Sequence, residues 1–521
     1  MARPGFVLQV DERTPAVLVP DGAAVRLERF PLGSSVIYPP DPGEPLADLT
    51  GAIVAALDAP LDAPPLSDQL RPGMRLTITF DDITTPQPPM RRPDVRGRII
   101  EAILTKAAAA GVDDVELICA TGLHRRCTPV ELQRMLGERV FRSFFADGRL
   151  TNHDAEDADR LVDVGETDGL IVRVNRRFAE SDLVVAVQLL SGARDGGLNA
   201  LARGLGSTAT IDAQSGLAAQ VAAREQNSVE APVALRVAEL VGSATAIFTV
   251  EAVLTNDAFT AGLDFLGKRE WDQNLFDQAA VQLLRGGLRA VPASLRRRAA
   301  HVAQSSSGVT TVVAGAPAAV DQRCRTALAE QQTVSVDGQA DVVITGVGGI
   351  SPYSVNSVLN PVLAAWSGFS QVVGAATGTP LLRPGGAVIM YHPVPIEFST
   401  LHHPSYVDFF AEVLPVATDP VLVAEKFERR FAEDPWYRHL YQASYAFHGI
   451  HPFHLWYKIA AAAQPCGDVI WVGGNRDAVA RMGFRAASTL ADALEIVSST
   501  VGREPRISVL HSPPQLVVDV R

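Results

Sequence analysis

"VELICATGLHRRCTPVEL" (residues 115–132) is the stretch whose reading decides the fold. Its opening, VELIC, is an apolar run ending at Cys119 and reads as a buried strand. Its close is a helix start: Thr128 can cap, Pro129 takes the first helical position, where no N–H is needed, and Glu131 completes a capping box. Between them a polar loop carries a lone histidine, His124. A strand entering a helix through such a loop is the repeating unit of an open α/β sheet, whose ligands gather at the carboxyl ends of the strands. Locally, two readings of His124 stand: a turn imidazole bonded to the following helix, or a catalytic base.

The same alternation runs outward in both directions. MRLTITF (74–80) reads as a strand, and after a proline-rich loop Asp94 caps a helix that Gly111 ends. SDLVVAVQLL (181–190) and TAIFTVEAVL (245–254) are further apolar strands. A basic stretch, VPASLRRRAAHVAQSSSG (291–308), closes the series. VTTVVAG, ADVVITGVGG, GGAVIMYHPV, CGDVIWVGG and RISVLH then form a second one. A chain of 521 residues is too long for one ordinary core. The pattern predicts two three-layer α/β domains with mostly parallel sheets and a ligand cleft between them. The first spans 1–300, with its core at about 70–260, and the second 309–521, with a serine-glycine hinge before it.

Composition narrows the classes of function. Hydrophobic residues at 47% and charged residues at 20% describe a globular protein, and a net charge of -12 argues against nucleic acid or anionic membrane as partner. No apolar run approaches the roughly 18 residues of a membrane span, and MARPGFVLQVDERTP has no signal-like apolar region. The four cysteines have no CxxC spacing. The expected compartment is the cytoplasm and the expected partner a small molecule. Arginine dominates: lysine occurs only at Lys106, Lys268, Lys426 and Lys458.

Several motifs could carry chemistry. DDITTPQPP places Asp82, Thr84 and Thr85 at a strand's end, either as a simple turn or as polar groups facing a ligand. SGARDGGLNALARGLGS is rich enough in glycine for Gly196 and Gly197 to let backbone approach a phosphate, although it is neither a P-loop nor GxGxxG. In FHGIHPFH, His448, His451 and His454 are three residues apart, but Pro452 interrupts them and no HExxH is present, so a surface or packing role is expected. His402 and His403 are read the same way, and no metal site is predicted.

Taken in order, DDITTPQP, ATGLHRRCTPVELQRMLG and TNHDAEDADRLVDVG resemble the lactate racemase family, whose members use a nickel-pincer nucleotide. DGGLNALARGL and, more loosely, DVVITGVGGISPYSVN continue the likeness. The resemblance implies an acid/base role for His124 and a site built from Asp82, Thr84, Thr85 and the Gly196–Asn199 backbone, with Arg91 and Arg125 as substrate cations. The departures are as informative. Asn199 stands where the family's cofactor-carrying lysine falls, and no lysine lies near that loop in sequence. Leu189 replaces a second acid/base histidine, Ser215 falls near a nickel-ligand histidine, and Thr85 stands for an arginine. The pincer nucleotide would then bind without a covalent bond or not at all. The expected function is an isomerase or epimerase acting on a small 2-hydroxy acid or sugar acid, with lactate racemisation itself disfavoured. The other reading is a non-catalytic relative that binds a small anion or nucleotide, or scaffolds a complex.

Overall fold

The computed structural model describes residues 5–521 except 88, 193–194, 227, 229, 258–261, 293–294, 296–303, 306, 354–357, 375 and 514. The strands bearing the candidate residues lie side by side. Leu183–Leu190, Arg75–Asp81 and Asp114–Ala120 are successive parallel neighbours. Leu150–Asn152 extends this sheet on one side and Ile247–Leu254 on the other, both parallel. Both faces of the sheet are apolar, as parallel strands covered by helices require. Val185, Val187 and Leu189 pack with Ile99 and Leu132 of the helices Val95–Ala109 and Pro129–Phe145. Val184 and Ala186, on the opposite face, meet Leu201 and Val237 of the helices Gly197–Leu205 and Pro232–Ser243.

Among the described residues the second sheet has nine strands. Ser35–Tyr38, Ile507–Leu510, Ala340–Gly348, Leu382–Tyr391, Asp468–Val472 and Arg485–Ala487 run parallel in that spatial order. Val343, Met390 and Trp471 pack beneath the helices Pro361–Gly374 and His451–Ala463, while Val342, Ile389 and Ile470 face Leu490–Val501. Two three-layer α/β lobes with mostly parallel sheets are therefore present, as the hydrophobic patterning implies.

Sheet membership does not follow the boundary expected near 300–309. Phe6–Gln9 and Ser35–Tyr38, from the start of the chain, belong to the second lobe's sheet. Val309–Gly315, expected to open the second domain, instead closes the first sheet, antiparallel to Ile247–Leu254. An apolar run announces a strand; its partner is set by contacts hundreds of residues away, which no local pattern encodes. Most of the basic stretch before the expected hinge lies outside the described residues. Ser305, within that hinge, is buried and donates its N–H to the Pro89 carbonyl at 2.9 Å. Among the described residues no helix is long and apolar enough to cross a membrane.

Candidate active site

The two motif loops leave adjacent strands at the same edge and meet. Asp82 follows Arg75–Asp81, and His124 follows Asp114–Ala120. Asp82 Oδ2 lies 2.8 Å from His124 Nδ1, and Oδ1 accepts from the Thr84 N–H at 2.9 Å and the Thr84 hydroxyl at 2.5 Å. Burial favours the neutral acid, but the His124 charge, its hydrogen bond and the Thr84 donors together hold the Asp82 carboxyl below the usual range. Arg96 braces this loop from beneath. Its guanidinium is bidentate on Asp94, the cap of its own helix, and donates to the Asp82 carbonyl at 2.6 Å. The neighbouring Asp81 carboxyl accepts from the Leu189 N–H at 2.7 Å and is pushed up to about 7 by burial.

The His124 loop is clasped from both sides. Gly122, at φ +51, donates its N–H to the Gly204 carbonyl, and a Cβ on it would stand 2.4 Å from the Arg203 carbonyl oxygen. Only glycine lets the strand end approach the helix Gly197–Leu205 this closely. From the second lobe, the Tyr441 hydroxyl donates to the Gly122 carbonyl at 2.6 Å, and the His448 N–H donates to the Leu123 carbonyl at 3.1 Å. Asn152 of the third motif holds the Cys127 backbone at both N–H and C=O, fixing the start of the capped helix. His153 is fully enclosed against the Gly206 carbonyl, and burial pushes it down to about 4.

These loops and the second lobe enclose a cavity of about 340 Å³. Asp82, Thr84, Thr85, His124, Leu189 and Gly196 form the wall from the first lobe. From the second lobe come Tyr353, Trp366 and one face of the helix His451–Ala463, presenting His451, His454, Leu455 and Lys458. The rings of His124, Tyr353 and His451 pack edge to face, with centroids 5.0–5.2 Å apart. His451 Nδ1 lies 2.6 Å from the Tyr406 hydroxyl, and burial, with the His124 charge adding to it, keeps His451 neutral. His454 Nε2 meets Asp212 Oδ1 at 2.9 Å.

The expected residues distribute unevenly. Asp82, Thr84, Thr85, His124 and Gly196 line the cavity; Gly197 and Asn199 do not. Gly197, expected to offer its N–H to a phosphate, donates it to the buried Glu251 carboxylate at 2.8 Å. Arg125, expected as a substrate cation, is buried in a two-bond pair with Glu131, the capping-box residue of the helix it precedes. Arg91 is exposed and away from the cavity. The FHGIHPFH histidines, expected at the surface or in packing, are all buried, and two of them face the cavity. Pro452 does not break a helix but sits in the first turn of His451–Ala463, where proline is tolerated, and His448 precedes that helix. Lys458, remote in sequence from the glycine-rich segment, also lines the cavity. The signal was available: 451, 454 and 458 fall on one helical face.

The oriented imidazole thus lines a cavity between two α/β lobes, at the carboxyl ends of adjacent parallel strands, where open α/β sheets hold their ligands. Residues 29–225 match the family model of the lactate racemase N-terminal domain. The lactate racemase apoprotein from Thermoanaerobacterium thermosaccharolyticum has the same fold, with a TM-score of 0.61 at 17% identity, over 96% of this chain and 99% of that one. A protein of known structure from Thermotoga maritima gives 0.49 at 13% identity, over 92% and 100%. None of the curated proteins compared by sequence matches the chain.

The family's nickel-pincer nucleotide is not matched by the residues present. The Asn199 carboxamide has no amine to form a thioamide, and its oxygen is buried without a hydrogen-bond partner. Leu189 is fully enclosed and Ser215 offers a hydroxyl where an imidazole is needed. Among the described residues no three His, Cys, Asp or Glu side chains converge as a metal-binding set.

Proposed function

We propose that this protein is an acid–base enzyme of the isomerase or epimerase type, acting on a small hydroxy acid or sugar acid with His124 as the base. The observation that carries this reading is the 2.8 Å contact between Asp82 Oδ2 and His124 Nδ1 at the cavity wall. An ionised Asp82 accepts the Nδ1 proton, so the lone pair of His124 sits on Nε2. Nε2 takes a proton from the ligand, and Asp82 stabilises the imidazolium that forms. The His124 imidazolium, held by Asp82, is the group that returns the proton to the ligand, and the neutral imidazole of His451, tied to the Tyr406 hydroxyl, packs against its ring.

The test is exchange rather than product. Hydroxy and sugar acids incubated with the full chain in D₂O and followed by proton NMR should lose a C–H signal for at least one member, and His124→Asn should abolish the loss. A second reading, a relative that binds a small anion without turnover, is favoured by the replacements at Leu189, Asn199 and Ser215. Ligand binding with no exchange at any carbon would decide for it. Cytoplasmic location belongs with either reading.

A further inference from the structure

We infer that the Asp81 carboxyl is the proton donor of this cavity: as His124 takes the carbon-bound proton, Asp81 gives its own proton to the ligand oxygen that gains the charge. The inference rests on the reading of His124 as the base. Removing a proton from the carbon beside a carboxylate sends the C–H electron pair into a carbon–carbon double bond and the carbonyl pair onto oxygen. That oxygen belongs to a group already anionic, so the step needs an acid in contact with it. Return of the Nε2 proton to carbon, and of the oxygen-bound proton to Asp81, restores both pairs.

The strand Arg75–Asp81 lies between Leu183–Leu190 and Asp114–Ala120, and its end presents two consecutive carboxyls to the cavity. Asp82 bonds on one side, to His124. Asp81 bonds on the other, accepting the Leu189 N–H at Oδ2 at 2.7 Å. Base and acid therefore stand on the two flanks of one strand end. Among the described residues that N–H is the only hydrogen-bond donor to the Asp81 side chain, so Oδ1 is left to a ligand. The two environments separate the carboxyls. Asp82, though buried, is held below the usual range by His124 and the Thr84 donors. Burial pushes Asp81 up to about 7, and the Asp195 and Asp82 charges add to this. The Leu189 N–H opposes it, as does Arg96, which donates to the Asp81 carbonyl at 3.1 Å. Neighbouring acids driven apart in this way divide into an anion and a donor. The other carboxyls among the described lining residues are engaged. Glu230 is paired with Arg203. Asp195 Oδ2 accepts the Ser191 N–H, the Ser191 hydroxyl and the Gly192 N–H, three donors to a carboxylate where Asp81 has one.

Asp81→Asn keeps the side chain's size and an oxygen for the Leu189 N–H, and loses the transferable proton. On the acid that exchanges in D₂O, the variant should be roughly 10²- to 10⁴-fold slower, with KM within a few-fold of the parent. Exchange by the parent should decline as pH rises through about 7, where Asp81 ionises, and the variant should lack that decline. An unchanged rate, or the same decline in the variant, overturns the inference. A parent whose exchange does not decline there overturns it with no variant at all. A turnover-free arm separates it from the proposed function. Oxalate, a planar dianion with the oxygen pattern of an enolised hydroxy acid, is titrated calorimetrically into the full chain at about pH 8, in two buffers of different ionisation enthalpy. The parent should take up most of a proton per oxalate bound, and Asp81→Asn almost none. Equal uptake in both, or no oxalate binding by the parent, overturns the inference. Asp81-dependent uptake with no exchange of any acid removes the base and leaves the donor standing; exchange with no Asp81-dependent uptake does the reverse. Matching melting curves for parent and variant confirm that the losses are not losses of fold.

Discussion

The Tyr441 hydroxyl bridges the two lobes at the Gly122 carbonyl, two residues before His124, and the same oxygen accepts the Ala155 N–H at 3.0 Å. One buried phenol thus satisfies a donor and an acceptor on the first lobe. Tyr441→Phe leaves both unpaired and should cost about 1–3 kcal/mol in urea unfolding. It should also lower turnover by releasing the loop that aims His124. A variant as stable and as active as the parent would show that the bond positions nothing.

His124→Ala should reduce turnover by roughly 10²- to 10⁴-fold on whatever acid proves to exchange. Its ring packs on Tyr353 and His451 and partners the buried Asp82 carboxylate, so the variant should also lose about 1–3 kcal/mol of stability while remaining folded. Unfolding of this variant would make the residue structural, and unchanged turnover would make it a turn histidine.

Asp82 gives the site a pH signature. Its folded carboxyl titrates below its unfolded value, so the stability it contributes is present above about pH 4 and is lost as pH falls through the folded value. Asp82→Asn abolishes this dependence. Between pH 5 and pH 2 the urea midpoint of the variant should fall less than that of the parent, and its activity should fall because Nδ1 no longer faces a carboxylate.

His403 is fully enclosed, stacked on Phe447, with neither ring nitrogen hydrogen-bonded. Burial, with His402 and Arg125 nearby, pushes it down to about 3. A histidine depressed on folding loses stability as pH falls from about 6.5 toward that value. His403→Leu removes both unpaired nitrogens, so melting near pH 7 should be unchanged or a few degrees higher, with a shallower decline on the acid side. A lower melting temperature at neutral pH would show that the imidazole has partners it needs.

The replacements at Leu189, Asn199 and Ser215 predict that purified protein leaves L-lactate unracemised. Intact mass of chain made in a host that synthesises the pincer nucleotide should equal the sequence mass, with nothing added to any lysine. Racemisation of lactate, or a mass increment on the peptide carrying Lys458, would contradict this.

What the sequence disclosed and what it hid follow one physical division. The Thr128–Glu131 capping box, the Asp94 cap and the apolar strands before them were legible because their causes lie within a few residues. The meeting of Asp82 and His124 was legible one step further, since both loops leave strand ends of one sheet. Arg125 misled because a cation beside a motif has two possible carboxylates, a ligand's and a neighbour's, and Glu131 was the neighbour. That His451, His454 and Lys458 share one helical face was legible, but that this face meets the His124 loop is a fact of tertiary packing between the lobes.

The exchange of strands between the lobes also governs how this chain can be made. Ser35–Tyr38 pairs with Ile507–Leu510, so one of the earliest strands to leave a ribosome waits for one of the last. Contacts of such sequence separation form slowly, because a long loop must close before they contribute. Until then the second lobe's first strands present open edges, and a fragment ending near residue 300 lacks the Val309–Gly315 strand that closes its own sheet. Fragments cut at the compositional boundary should therefore aggregate, and a fragment that preserves the first sheet must carry at least the helix Pro317–Gln332 while omitting residues 1–38.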